Sequence, residues 1–99
     1  MYLVVFRNRK RADLDAAAYA ADAVRMEELA AAQPGYLSFK SYVAEDGEVV
    51  ALSEWRDEAA ALAWRRVAEH AAVQARGRAE YYDTYTLFAG TPGRVHRFP

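Results

Sequence analysis

The sequence predicts an α+β domain, a ferredoxin-like β-α-β-β-α-β sandwich with a four-stranded antiparallel sheet and helices on one face. Three observations carry this reading. Segments of strand period and of helix period follow one another in that order. Asp46-Gly47 places a tight turn between the two central strands. Gln33-Pro34-Gly35 and Asp57 mark where one helix ends and the next begins.

Tyr2 to Asn8 is apolar on both faces, with Tyr2, Val4 and Phe6 on one and Leu3 and Val5 on the other. It is read as the first strand. Asp13 or Asp15 then caps a helix running to about Ala32. Alanine fits any helical face, so the larger residues decide its orientation. Ala16, Tyr19, Ala23, Met26 and Ala30 form the inward stripe. Proline cannot continue a helix and glycine tolerates the exit turn, so Pro34-Gly35 ends it.

Tyr36 to Val43 alternates, with Leu37, Phe39 and Val43 on one side and Ser38 and Lys40 on the other. Val49 to Trp55 returns as the third strand, apolar on both faces. Asp57 caps a second helix that passes through His70 toward Glu80. Tyr81 to Ala89 is the last strand, its tyrosines divided between faces: Tyr82 on one, Tyr81 and Tyr85 on the other. The domain thus spans residues 1–89, and residues 90–99 form a C-terminal tail without periodicity.

Strands this apolar on both faces leave one sheet face without a helix to cover it. A second copy packed sheet against sheet is the economical solution, so a homodimer is expected. The chain has 99 residues, enough for one small domain that buries about 65% of its unfolded surface. It has no cysteine, which excludes disulfides, zinc–thiolate sites and thiol nucleophiles. Thirteen Lys and Arg stand against fourteen Asp and Glu, so no strong field favours nucleic acid or an anionic membrane. The third strand, EVVALSEW, lacks the ribonucleoprotein pattern that RNA-recognition domains of this strand order need. The N-terminal apolar run is too short for a signal peptide or a membrane span. A soluble, cytoplasmic protein is expected.

The chemistry-bearing residues concentrate in AEHAAVQARGRAEYYDTY, Ala68 to Tyr85. His70 is the candidate general base, and Gln74 and Gly77 share its helical stripe. The ordinary alternative is a half-buried histidine satisfied by a neighbour. No second ligand pairs with His70 at metal-binding spacing, so no metal is expected. Trp64 is read as core or as the wall of a pocket for a flat aromatic ligand. Arg76 and Arg78 either complement the helix dipole or clamp an oxyanion. Asn8, at the end of the first strand, is placed to bond a ligand carbonyl or local backbone. Phosphate loops, dinucleotide fingerprints and a serine nucleophile elbow are missing from the sequence.

In order, PGY after the first helix, EW at the end of the third strand, Trp64, H-x3-Q-x2-GR from His70 to Arg78, and Y-x2-Y resemble one family. It is the antibiotic-biosynthesis monooxygenase domain of the dimeric α+β barrel superfamily, and the likeness runs to about Ala89. The resemblance implies a ferredoxin-like protomer, sheets paired in a homodimer, and a pocket between helices and sheet. It also implies oxygenation without metal, flavin or haem, in which a base deprotonates an anthrone or quinol and the anion reduces dioxygen. Trp64 matches a pocket tryptophan of the polyketide-oxidising members. His70 falls where some of them have tyrosine, and Arg78 matches their pocket arginine. Tyr82 is read as part of the cage. Asn8 is a candidate on its own position, not by match to their asparagine.

The haem-degrading branch has its ligating histidine about one helical turn beyond His70, where this chain has Gln74. Phe6 holds the position of that branch's strand-one asparagine. Haem degradation is therefore not expected. The reading from another class is a non-catalytic ligand-binding or stress-response module on the same fold.

Overall fold

The computed structural model describes residues 1–74 and 81–99, and of residues 71–74 the backbone alone. Its element order is β1 (Tyr2–Lys10), α1 (Ala16–Ala31), β2 (Tyr36–Val43), β3 (Val49–Trp55), α2 (Glu58–Gln74) and β4 (Tyr82–Gly90). This is the expected β-α-β-β-α-β order. The strands form one sheet in the order β2-β3-β1-β4, every neighbouring pair antiparallel. No helix among the described residues is long and apolar enough to cross a membrane.

Two aspartates start the helices. Asp15 accepts a hydrogen bond from Ala18 N at 3.0 Å, and Asp57 accepts one from Ala60 N at 2.9 Å. Each satisfies an amide that the first helical turn leaves without a partner. Of the two aspartates the sequence allowed for α1, Asp15 is the cap; Asp13 is tied to the Arg11 side chain instead. Gly35 turns the chain out of α1 at φ +83°, a conformation that side-chain-bearing residues rarely adopt.

Both helices pack on the same sheet face. That face carries Tyr2, Val4, Phe6 and Asn8 of β1 and Val49, Ala51, Ser53 and Trp55 of β3, paired across the ladder from Tyr2↔Trp55 to Asn8↔Val49. The core gathers at one end, where Ala30, Trp55, Ala60, Ala61 and Trp64 are buried. Trp55 has no exposed surface, and its indole N–H donates to Ser53 Oγ at 2.9 Å.

Two register shifts change the expected facing of side chains. One between Tyr36 and Ser38 brings both Tyr36 and Phe39 against the core and leaves Leu37 exposed. The other, between Arg9 and Lys10, puts Tyr82 and Tyr85 on the same face. Both rings lie within 5.4 Å of Phe6, at 5.3 and 5.4 Å between centroids. The tyrosines of the last strand are thus not divided between the two sheet faces as strict alternation expects. A bulge adds one residue to one strand and so reverses the facing of the residues beyond it.

Candidate functional site

A cavity of about 220 Å³, partly open to solvent, lies between α1, the middle of α2 and the sheet. It exists because small residues face one another there. Ala23 of α1, Ala68 of α2, and Ala51 and Ser53 of β3 line it without filling it. Around them stand larger side chains: Phe6, Tyr19, Met26, Trp64, Tyr81 and Tyr82. The aromatic rings brace one another edge to face. Tyr19 meets Tyr81 at 5.3 Å and 82°, and Phe6 meets Tyr82 at 5.3 Å and 83°.

Polar groups enter this apolar wall at few points. Asn8 is 3% exposed, and its Oδ1 accepts a hydrogen bond from Lys10 Nζ at 2.5 Å. That bond fixes which way the amide lies. The Lys10 ammonium also stands 4.8 Å from the Tyr19 ring centroid and 5.6 Å from that of Tyr82. A cation over two ring faces, behind a buried amide, biases this end of the cavity toward negative charge. The Tyr81 hydroxyl donates to Asp22 Oδ2, linking the approach to β4 with the middle of α1.

The residues singled out in the sequence divide three ways. Trp64, Tyr82 and Asn8 line the cavity. Trp64 is at once wall and core, since it is 7% exposed and stacks on Trp55. His70 is exposed and is not among the residues that line the cavity. The Gln74 side chain, Arg76, Gly77 and Arg78 lie outside the described residues. Among the described residues no group of three or more His, Asp or Glu side chains is placed to hold a metal ion.

Asp22 was missed in the sequence, although a signal was present. It lies at i+3 from Tyr19 and i−4 from Met26, an acid set into the inward stripe of α1. Lys10 was missed because the first strand was expected to stop at Asn8, two residues short.

The sequence profile described as antibiotic biosynthesis monooxygenase matches residues 1–76. The uncharacterized Bacillus subtilis protein YqjZ is 35% identical over 97 residues, spanning 98% of this chain and 83% of that protein. Among solved structures, Rv0793 of Mycobacterium tuberculosis superposes with a TM-score of 0.78 at 21% identity, covering 97% of this chain and 98% of that one. SnoaB of Streptomyces nogalater, a cofactor-independent oxygenase, superposes with a TM-score of 0.73 at 18% identity, covering 95% and 94%. At these identities the two structures share the fold.

Proposed function

The chain belongs to the antibiotic biosynthesis monooxygenase family, and from that premise we propose that it oxygenates a small electron-rich aromatic, a quinol or an anthrone, without a bound cofactor. The observation that carries this reading is the aromatic-walled cavity with a buried amide on its wall and a cation bonded to that amide. An apolar cage excludes water and holds a flat ring, while Asn8 and Lys10 favour the oxyanion that forms when the ring system loses a proton. Such an anion is electron-rich enough to reduce dioxygen itself. For an anthrone the sum is one methylene and one dioxygen giving one carbonyl and one water.

Size narrows the ligand. A cavity of ~150 Å³ binds benzene, so about 220 Å³ holds one or two fused rings, with any third ring projecting through the open side. Trp64 and Tyr82 would flank the ring, and Asn8 would meet its oxygen.

We also propose that the sheet face turned away from the helices closes against a second copy. Leu3, Val5, Val50, Leu52 and Phe88 fall there, and Phe88 and Tyr42 are each 51% exposed. Light scattering on dilute protein checks this; a monomer at micromolar concentration contradicts it.

One observation favours the second reading, a non-catalytic binding module: the expected base, His70, is off the cavity wall. Oxygen uptake separates the two. Anthrone should consume dioxygen in the presence of the protein and not in the presence of an Ala23→Phe variant, whose added ring fills the cavity. Tight ligand binding without uptake establishes the binding module instead.

A further inference from the structure

With His70 exposed outside the cavity, the proton acceptor must be sought on the cavity wall itself. We infer that Asp22 and Tyr81 act together as the base of this site, Tyr81 taking the substrate proton while its own hydroxyl proton passes to the Asp22 carboxylate. This inference rests on the oxygenase reading above.

Four observations support it. Both residues line the cavity. They are hydrogen-bonded, Tyr81 Oη to Asp22 Oδ2, in the direction a relay requires, with phenol as donor and carboxylate as acceptor. Tyr81 is 8% exposed and caged by Tyr19 and Tyr82, at 5.3 and 6.3 Å between ring centroids, so its hydroxyl is aimed by packing. Among the described residues no salt bridge occupies the Asp22 carboxylate. An acid on the inward stripe of an alanine-rich helix adds nothing to packing.

The proton balance closes. The substrate C–H proton leaves to Tyr81, the phenol proton moves to Asp22, and the carbanion remains in the cavity that Asn8 lines. Dioxygen adds to that carbanion by successive one-electron steps, giving a peroxide anion. Asp22 returns its proton through Tyr81 to the peroxide, and loss of water leaves the carbonyl. The pair ends as it began, and dioxygen is the sole oxidant.

A structural tie between α1 and β4 would have the same geometry, and Asp22→Asn separates the two roles. Asparagine still accepts the Tyr81 hydrogen bond through Oδ1 but cannot hold a proton. The experiment is deuterium exchange into the anthrone methylene, followed by NMR in deuterated buffer without oxygen, alongside anthraquinone affinity and thermal stability. Wild-type protein should accelerate exchange. Asp22→Asn and Tyr81→Phe should each lower that acceleration by about 10²-fold or more, with anthraquinone affinity within about threefold of wild type. Exchange at the wild-type rate in a folded Asp22→Asn variant overturns the inference and leaves the oxygenase reading standing. Wild-type protein that neither exchanges the methylene nor consumes oxygen overturns both.

Discussion

The indoles of Trp55 and Trp64 stack with their centroids 5.8 Å apart and their planes inclined by 20°. Trp55 belongs wholly to the core, whereas Trp64 turns part of its surface to the cavity. The most tightly packed end of the domain is therefore also a wall of the site, and the two residues should respond differently to substitution. Trp55→Ala should cost ~3–5 kcal/mol, as expected for a buried large-to-small change. Trp64→Phe should keep the fold but weaken anthraquinone binding about tenfold, ~1.4 kcal/mol. Urea midpoints and equilibrium dialysis measure the two effects.

Gly35 and Gly47 both have positive φ, +83° and +88°, but in different surroundings. A Cβ on Gly35 would lie 2.6 Å from the Ala60 Cβ, where α2 begins, while one on Gly47 would meet nothing within 4 Å. Gly47→Ala should lose only the backbone term, ~1–2 kcal/mol. Gly35→Ala should lose that and the overlap, a further ~1–3 kcal/mol. Equal losses in chemical denaturation would show that α2 shifts to relieve the contact.

His70→Ala should leave oxygen uptake within about twofold of wild type, since His70 is exposed and lines no part of the cavity. A loss of orders of magnitude would return the imidazole to the mechanism and displace Asp22.

Asp57 supplies a pH-dependent contribution to stability. The Ala60 amide, followed by the Arg56 side chain, holds its carboxyl below the ordinary value of 3.8. A carboxyl depressed in the folded state stabilises the fold fully above its ordinary value and loses that contribution as pH falls through the lower folded value. Asp57→Ala should therefore melt below wild type at pH 7, with the gap closing as the pH is taken under 3.8. Calorimetric melts from pH 7 to 2.5 show the trend; a gap independent of pH would remove the ionised cap from the account.

The fold was legible because strong local signals agree. The Asp46-Gly47 turn and the Pro34-Gly35 stop sit at the expected positions, and β2 and β3 have the bounds that their alternation implies. Side-chain facing was less legible. Strict alternation assumes an unbroken ladder, and the shifts at Tyr36/Ser38 and Arg9/Lys10 break it. For Trp64 the sequence left core and pocket wall open, and the ring is both, because it stacks on Trp55 and also lines the cavity. Asp22 could not be weighed without knowing that Tyr81, 59 positions away, reaches it. Pairing across that distance is set by the tertiary fold, not by local spacing.

If a ring held in the cavity is oxygenated, dioxygen is the source of the new oxygen. Mass spectrometry of the product formed from anthrone under ¹⁸O₂, with protein stripped of metals by chelation, tests it most directly. Wild-type protein should form anthraquinone carrying one ¹⁸O atom, and Ala23→Phe should not. Unlabelled product, or turnover equal to that of buffer alone, would contradict it.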